Sequence, residues 1–506
     1  MKSILTRIPS RAVVTACLAC AAVAAGSRSL DAAEKWIEVR SAHFVVTSNA
    51  GDGSARTIAW QLEQIRSAIA TLWPWAKVDL NKPLAVFAVK DETALKALAP
   101  QYWERKGGVR PATVWVGGVD QNYLAIRVDT EADDRLNINP YVTSYFSYVS
   151  LILQQSVARP MPLWFSRGLA GVMSNTIVRD ARIMLGPPIP WHLERLRDHT
   201  RLKIPALLAV GRDSPEFVNG EGQADFDAQA WAFVHFLMFG EAGVRWPKLD
   251  RFSQLVAQGT NPDTAFREVL GPPEDLEAPF GGYITRSLYS FRQINVDVAT
   301  KREGFSVQPL PPAEAASRQA MFHAAMRRPV EARAAIDEAR KAGPAPDAFT
   351  AEALLLDAAG EEDEAKAAYA RAAEAGSTSP YAYYRLASLL FRPEPDHDTL
   401  VRIEKTLSQA VALNNRYASA YALLGETRSL LGTGEPLGMA LRAISLEPGE
   451  AHYRLTAASI LWRQRNYDDA LKQAQAGLSL ADNGDERRRA EKMIESLTKA
   501  KSGGVD

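Results

Sequence analysis

The sequence predicts an α+β domain followed by an all-α solenoid of helical repeats. Three observations support this fold class. Strand-like and helix-like segments alternate between about residues 34 and 293. From about residue 313 the chain is rich in Ala, Leu, Glu and Arg, and its apolar residues have the spacing of paired helices. In this second half, small residues recur at intervals of 33, 38, 33 and 34 residues, which is the period of a two-helix repeat.

The composition excludes some classes of function. The chain has 506 residues, of which 47% are hydrophobic and 23% are charged, as is ordinary for a globular protein of two or more domains. Its 59 Lys and Arg residues balance 59 Asp and Glu residues. Nucleic-acid binders usually carry a basic excess, so we expect no nucleic-acid partner.

Residues 1–33 have the pattern of a secretory signal peptide. A basic start precedes an apolar run from Ala12 to Gly26, and small residues suited to cleavage follow. We therefore expect a periplasmic or secreted protein. Residues 14–17 (VTAC) also resemble a lipoprotein cleavage box, so lipid anchoring stays open. Both cysteines lie in this segment, and we expect no membrane span in the mature chain.

The first half, residues 34–293, contains alternating predicted elements. After residue 139 its signals are mostly helical. The predicted elements before that point are strands at 36–48, 82–90, 112–118 and 122–128 and helices at 55–73 and 93–103. Residues 294–312 have little periodicity and end with three prolines, which predicts an extended linker between the two halves.

The second half, residues 313–482, resembles the tetratricopeptide (TPR) repeat, a helix–turn–helix unit of 34 residues. An insertion at residues 392–398 accounts for the one long interval, and residues 483–506 read as a capping helix and tail. The resemblance implies a surface that binds a protein or peptide partner. The positions at which we expect close helix packing are Ala339, Ala372, Ala410, Ala443, Ala470 and Gly477.

The first half also resembles a known family. The stretches that carry this likeness are WIEVRSAHFVVTS, PLWFSRGLAGVMSNT, GPPIPWHLERLRD, DAQAWAFVHFLMFG and NPDTAFREVLG. In this order they are similar to the zinc-peptidase-like domains, of the peptidase MA or gluzincin-like kind, that often precede TPR repeats in exported bacterial proteins. The resemblance implies a gluzincin-like α+β fold for residues 34–293.

The resemblance also implies where a zinc site would lie, and this chain lacks it. Active members carry His-Glu-x-x-His on one helix and a glutamate ligand on the next, and the glutamate of the motif activates a zinc-bound water. Counting back from Pro162-Leu163-Trp164 places these groups at Ser147, Tyr148, Leu151 and Arg167. None of the four is a residue that the chemistry requires. We expect Tyr148 and Leu151 to fill the vacated centre instead.

A second observation does not depend on that register. No histidine occurs between His43 and His192, and no carboxylate occurs between Asp134 and Asp180. A guanidinium at position 167 would also repel a dication by about 8 kcal/mol at 4 Å and a dielectric near 20. We therefore predict no catalytic residue, no metal and no cofactor.

Histidines elsewhere leave one alternative open. An active hydrolase could use a relocated site built from His192, Glu194 or His235. His192 and His199 are seven residues apart, about 10 Å along a helix, so we expect them on the surface or at the rim of the fold rather than around one ion. His235 lies in an almost wholly apolar run, which predicts a hydrogen-bonded core histidine.

The leading hypothesis is an exported pseudopeptidase with TPR repeats that binds a protein or peptide without cutting it. The main alternative is the hydrolase with a relocated site. In a third interpretation the first half is a folded spacer, and the repeats alone carry the function.

Overall fold

The computed structural model describes residues 34–104, 107, 110–130, 138–157, 161–179, 182–295, 301–481 and 483–502. The predicted signal peptide and the last residues of the tail lie outside the described residues. The statements about structure that follow refer to the described ranges.

Two sheets are present, one of six strands in the order β4-β5-β3-β2-β1-β9 and one of three strands in the order β6-β7-β8. In the larger sheet β2, β3 and β5 are parallel, and β1, β4 and β9 pair antiparallel with their neighbours. The strands are β1 (Ile37–Arg40), β2 (Val45–Ser48), β3 (Leu84–Val89), β4 (Thr113–Gly117), β5 (Asn122–Arg127), β6 (Ile177–Arg179), β7 (Arg182–Leu185), β8 (Arg292–Asn295) and β9 (Ser306–Pro309).

The run 36–48, predicted as one strand, is a hairpin. Ser41 N–H donates to the Phe44 carbonyl at 3.0 Å and closes the turn, so that Arg40 pairs with Val45. Residues on both sides of the turn keep their alternation, which is why the sequence pattern reads as continuous.

Among the helices of the first half, Glu92–Leu98 packs on one face of the larger sheet, and most of the others pack on the opposite face and on each other in one hydrophobic core. The helices of the first half are α1 (Asp52–Leu72), α2 (Glu92–Leu98), α3 (Gln101–Glu104), α4 (Val142–Ser156), α5 (Leu163–Ser174), α6 (Pro190–Asp198), α7 (Ile204–Ala209), α8 (Pro215–Val218), α9 (Gly220–Phe239), α10 (Trp246–Ala257), α11 (Pro262–Leu270) and α12 (Glu277–Ile284). Short 3-10 turns lie at Gly240–Gly243, Pro273–Leu276 and Arg302–Gly304.

The second half is an all-α solenoid of the TPR type, as the repeat period predicts. Consecutive helices pair as α13/α14, α15/α16, α17/α18, α19/α20 and α21/α22. The helices are α13 (Pro312–Ala325), α14 (Pro329–Ala342), α15 (Pro346–Ala359), α16 (Glu362–Glu374), α17 (Pro380–Leu390), α18 (His397–Leu413), α19 (Ala418–Leu431), α20 (Pro436–Leu446), α21 (Ala451–Arg463), α22 (Tyr467–Leu480) and the capping helix α23 (Gly484–Ser502).

The proposed packing positions lie at contacts between these helices. A Cβ atom at Gly477 would come within 3.0 Å of the Leu455 side chain, so the first and second helices of the last pair approach closely there. Fully buried, at 0% exposure, are Ala339, Ala372, Ala410, Ala443 and Ala470. Small side chains at these points let the paired helices approach each other.

The described residues between 294 and 312 are partly extended, and their extended parts pair with strands of the first half. Residues 292–295 are β8, and Ser306–Pro309 is β9, which pairs antiparallel with β1 along the edge of the larger sheet. Leu310 N–H then donates to the Trp36 carbonyl at 3.0 Å. Residues 296–300 lie outside the described residues. The predicted extended linker therefore includes a strand, because the free edge of β1 offers backbone groups that an extended segment can pair with.

The first helix of the solenoid covers the second face of the larger sheet. The Phe322 ring packs edge-on against Phe87 and Tyr123, with ring centroids 5.4 and 5.6 Å apart. The Arg318 guanidinium forms an ion pair with the buried Glu38 carboxylate. The two halves therefore share a hydrophobic core. None of the described helices is both long enough and apolar enough to cross a bilayer.

Candidate functional site

The positions that would carry the peptidase motif have different surroundings. Ser147 and Leu151 are half-buried on α4, and Tyr148 is buried with its ring 5.9 Å from that of Phe44. Burial raises the pKa of the Tyr148 hydroxyl well above its usual range, so the side chain stays a neutral phenol.

Of the two residues expected to fill a vacated centre, Leu151 does not point into the core as Tyr148 does. The face of α4 that packs into the core carries Tyr145, Tyr148, Val149 and Ile152. Leu151 lies outside that face and lines a cleft at the boundary with the repeats. The helix is apolar nearly all round in sequence, but only one side of it is fully buried.

Arg167, at the position of the third ligand, is neutralised within the chain. Its guanidinium makes a two-pronged ion pair with Asp227 on α9. It also lies over two rings, 4.8 Å from the Phe146 centroid and 5.3 Å from the Phe217 centroid. We call this group of four side chains the Arg167 nest. A carboxylate and two aromatic faces satisfy the cation, so the nest is a structural contact.

The nest depends on a close approach of α5 to α9. A Cβ atom at Gly168 would lie 2.4 Å from the Ala230 carbonyl oxygen, so only glycine fits there. Asn219 begins α9 by accepting a hydrogen bond from Gly222 N–H. Residues 220–227 are therefore the first two turns of α9, and they hold Asp227 opposite Arg167.

His235 is the core histidine that the sequence predicts. Its Nε2 donates to the Gly186 carbonyl at 2.8 Å, and its Nδ1 accepts from the Tyr283 hydroxyl at 2.7 Å. Burial lowers the pKa of His235 to about 4. Both ring nitrogens are thus in use, and the ring is neutral at physiological pH.

Of the other residues proposed for a relocated site, His192 lies against Trp231, which also contacts His235. The His192 ring is half-buried against Trp231, with centroids 5.6 Å apart, and burial lowers the pKa of His192 to about 4. This half-buried position agrees with the expectation of a surface or rim position for His192. Glu194 is exposed. Within the described ranges, no group of three or more His, Cys, Asp or Glu residues could hold a metal ion.

The candidate site is a cleft of about 640 Å³ between the first half and the solenoid. One wall is formed by Asn81, by Asp120 in the turn between β4 and β5, and by Asn122 at the start of β5. The other wall is formed by the loops between repeats and by the first turns of α17, α19 and α21. We call this space the interdomain cleft.

Hydrogen bonds across the boundary fix the distance between the two walls. Asn81 Nδ2 donates to the Leu446 carbonyl, and Asn414 Nδ2 donates to the Asn81 carbonyl, both at 2.9 Å. The Lys77 ammonium donates to the Ser445 carbonyl at 3.0 Å. The cleft is therefore a preformed space and does not depend on a loop closing over it.

The solenoid wall carries a row of tyrosines from three consecutive helix pairs. Tyr381, Tyr417 and Tyr453 each lie at the start of a first helix, and 36 residues separate each from the next. Tyr384 joins the row, with ring centroids 6.3 Å from Tyr381 and 5.0 Å from Tyr417. We call these four side chains the tyrosine row. Sequence reasoning missed them, although their spacing was a signal that could have been found.

Asp120 on the opposite wall is almost enclosed, at 6% exposure. Its Oδ2 accepts a hydrogen bond from the Tyr123 hydroxyl, and its Oδ1 has no hydrogen-bond partner in the part of the chain that is described. Burial raises the pKa of Asp120 to about 6, against the opposing effects of the Tyr123 hydroxyl, nearby backbone amides and Lys82.

The turn that holds Asp120 requires glycine at position 118. A Cβ atom there would lie 2.6 Å from both Asp120 Oδ1 and the Gln121 carbonyl oxygen. Gly118 N–H donates to that same carbonyl at 2.9 Å and closes the turn. The sequence indicates a turn at Asp120 but gives no sign that the carboxyl group is buried.

Two asparagines that line the same wall as Asp120 are also buried, and each has a polar atom without a partner among the described protein atoms. Asn81 and Asn122 are each 5% exposed. Asn81 Oδ1 and Asn122 Nδ2 also lack a partner among the described protein atoms. Buried polar atoms are nearly always hydrogen-bonded, and leaving one unpaired costs about 1–3 kcal/mol. These three atoms belong to residues that line one wall of the cleft, where a bound ligand or an ordered water would supply the missing partners.

Comparisons with known proteins add little to this description. The sequence matches no family model and no curated protein. Among solved structures, YrrB, described as a TPR protein with an unusual peptide-binding site, has 20% identity and a TM-score of 0.30, over 36% of this chain and 92% of YrrB. TTC0263, a TPR protein from Thermus thermophilus, has 22% identity and a TM-score of 0.27, over 35% of this chain and 97% of that protein. Because these scores are low, the assignment of TPR repeats rests on the helix pairs themselves.

Proposed function

We propose that this protein is an exported scaffold that binds a polypeptide segment in the interdomain cleft and does not cleave it. The observation that carries the proposal is the pairing of two walls. One wall holds three buried polar atoms without protein partners, and the other holds the tyrosine row. Aromatic faces beside a few placed polar groups are typical of sites that bind peptides and small molecules.

The first half is, in this proposal, a degenerate zinc-peptidase-like domain. Its support is the sequence order of the family-like stretches together with the residues at the motif positions. Tyr148 is a neutral phenol at the position of the general base, and Arg167 is tied to Asp227 at the position of the third ligand. A side chain fixed in this way is free neither to bind an ion nor to activate water.

The two competing interpretations fit the geometry less well. A relocated hydrolytic site would need His235 as base or ligand, but both of its nitrogens are already hydrogen-bonded. A first half that served only as a spacer would not place Asn81, Asp120 and Asn122 along the cleft.

Selection from a random peptide library displayed on phage tests the binding function. The mature chain, from about residue 34, is immobilised, and bound phage are sequenced. We expect enriched peptides that bind the free protein in solution and are recovered intact. Enrichment no greater than that on the bare support would refute the proposal.

Metal content and the mature N-terminus test the other two parts. After incubation with zinc and desalting, we expect no stoichiometric zinc, and stoichiometric zinc with cleavage of the selected peptides would overturn the non-catalytic assignment. Expression with residues 1–33 intact should yield an exported chain whose N-terminus lies near residue 33. A chain retained in the cytoplasm with its original N-terminus would overturn the assignment of export.

A further inference from the structure

We propose that the segment held in the interdomain cleft carries a positively charged side chain, arginine or lysine, which lies between Asp120 and the tyrosine row. This inference rests on the proposed binding function and adds the chemical class of the ligand. Four observations support it: the charges that line the cleft, the aromatic faces, the way the same chain accommodates an arginine elsewhere, and the pattern of unpaired polar atoms.

The charged residues that line the cleft are mostly acidic. Asp120, Glu447 and Glu450 contribute carboxyl groups, and Lys82 is the lining cation within the described residues. The Lys82 ammonium donates to the Gly118 carbonyl at 3.0 Å, so it is engaged with the backbone of the turn. The Glu447 carboxylate accepts from the Tyr453 hydroxyl at 3.0 Å. A cation entering this space gains attraction, and an anion would meet net repulsion in a partly enclosed setting.

The tyrosine row supplies the faces on which a cation can rest. Burial of Asp120 next to aromatic rings lowers the local dielectric and strengthens its attraction for a positive charge. The negatively polarised face of a tyrosine ring attracts a guanidinium or ammonium group within about 6 Å of its centre. The same faces repel the electron-rich oxygens of a carboxylate or phosphate.

The Arg167 nest shows that this chain already uses such an arrangement. There a carboxylate, Asp227, and two aromatic rings surround an arginine from within the chain. The interdomain cleft contains a carboxylate and aromatic rings, but its one lining cation among the described residues is bonded to the carbonyl of Gly118. The group needed to complete an equivalent arrangement is a cationic side chain from another polypeptide.

The asparagines explain why the ligand is a peptide rather than a free cation. Asn81 offers an unpaired acceptor, its Oδ1 atom, and Asn122 offers an unpaired donor, its Nδ2 atom. Each peptide unit carries one N–H donor and one C=O acceptor. One donor and one acceptor beside an acidic group therefore match an extended peptide unit next to a cationic side chain.

The test uses peptides selected on the immobilised protein. We expect arginine or lysine to be enriched at one position of the selected sequences. A selected peptide is then resynthesised with citrulline at that position, which keeps the shape of arginine but removes its charge. Binding of both peptides is measured by calorimetry with the native protein, Asp120→Asn and Asp250→Asn.

The matched control, Asp250, is a partly buried carboxyl group whose Oδ1 atom also lacks a partner among described atoms, and burial raises its pKa too. It lines a different cavity beside Trp246 and Phe291. We expect citrulline to weaken binding to the native protein at least tenfold. Asp120→Asn should weaken the arginine peptide by a similar factor and leave the citrulline peptide almost unchanged, whereas Asp250→Asn should change neither.

Three outcomes overturn the inference. Selected peptides with an acidic or uncharged consensus would show that the binding function is correct but the ligand class is wrong. Equal binding of the arginine peptide by the native protein and Asp120→Asn would place the cation elsewhere. If no peptide is enriched, the binding function itself fails. Thermal unfolding of each variant, followed by circular dichroism, shows whether a loss of binding reflects a loss of folding.

Discussion

Asp227 and Asp120 are carboxyl groups of the same chain that differ in whether both of their oxygens have hydrogen-bond partners among the described protein atoms. Asp227 accepts two hydrogen bonds from Arg167, whose guanidinium also lies over the rings of Phe146 and Phe217. Asp120 is more deeply buried, yet it accepts a hydrogen bond from Tyr123 on one oxygen and has no described partner for the other.

The difference separates a structural contact from a candidate binding site. Inside the Arg167 nest, charge and hydrogen bonds balance, so the region stabilises the fold and offers little to a ligand. In the interdomain cleft, the folded chain carries the cost of burying the Asp120 carboxyl group, because its interactions with Tyr123, backbone amides and Lys82 do not offset the loss of solvation. Proteins retain such costs mainly where function requires them.

The largest change in stability is expected from removing Asp227 from the Arg167 nest. Asp227→Ala leaves the Arg167 cation without its counterion, and removing one partner of a shielded pair destabilises a fold by about 3–5 kcal/mol. Because about a fifth of each side chain stays exposed, we expect the lower end of that range, about 3 kcal/mol. Urea denaturation at neutral pH measures the change.

The double variant Arg167→Met/Asp227→Leu is its control. It removes both charges and keeps apolar volume between the rings, so it should recover most of the lost stability. If Asp227→Ala is as stable as the native protein, the nest does not stabilise the fold and the comparison with Asp120 fails.

Replacing Asp120 is expected to increase the free energy of unfolding, whereas replacing Asp227 decreases it. The pKa of Asp120 is about 6 in the folded protein against 3.8 for the free side chain, so above pH 6 the fold bears the cost of the buried charge, about 3 kcal/mol. Asp120→Asn removes that cost but weakens the hydrogen bond to Tyr123 by about 1 kcal/mol. We therefore expect a net gain of about 2 kcal/mol at pH 8.

The gain in stability of Asp120→Asn over the native protein must become smaller as pH falls. As pH falls from 6 toward 4, Asp120 takes up a proton in the folded state, and the native protein recovers the stability that the variant gained. Urea denaturation of both proteins at pH 8, 6 and 4 measures the difference between their free energies of unfolding. The other titratable groups are the same in both proteins, so their contributions cancel in this difference. A variant that is less stable than the native protein at pH 8 would show that the buried charge is compensated within the fold.

The sequence predicts the repeats well because their signals are local. Small residues such as Ala372 and Ala410 recur with the length of one repeat, and each packs against a helix close to it in the chain. The sequence also predicts His235 correctly, because an apolar helix on all sides is buried and its one histidine then needs hydrogen-bond partners.

Distant pairings are what the sequence does not predict. The segment Ser306–Pro309 pairs with β1 more than 250 residues earlier, and nothing in its own composition names that partner. The burial of Asp120 has the same origin, because it depends on loops that follow more than 250 residues later. The 36-residue spacing of Tyr381, Tyr417 and Tyr453 could have indicated a shared surface, although not what faces it.

A smaller effect is expected on binding as pH changes. From pH 8 to pH 5, the charged fraction of Asp120 falls to about one in eleven for a pKa near 6, so affinity for an arginine peptide should fall about tenfold. Calorimetry at both values measures it, and Asp120→Asn should show no comparable change. Burial raises the pKa of each tyrosine near this carboxyl group, so none of them loses its proton in this range. Among the described residues, the titratable groups that interact electrostatically with Asp120 include Lys82, Tyr123, Tyr369, Tyr381 and Tyr417.

The smallest change in affinity is expected from replacing one residue of the tyrosine row. Tyr381 is half-buried, so replacing it with leucine keeps most of its apolar contacts but removes a ring face from the tyrosine row. A cation–π contact at such a site contributes about 0.5–1 kcal/mol, which corresponds to about two- to fivefold in affinity. Calorimetry should show that loss for the arginine peptide and a smaller one for its citrulline counterpart. Equal losses for the two peptides would mean that Tyr381 contacts the peptide only through its apolar surface, and that Asp120 alone distinguishes the charged ligand from the neutral one.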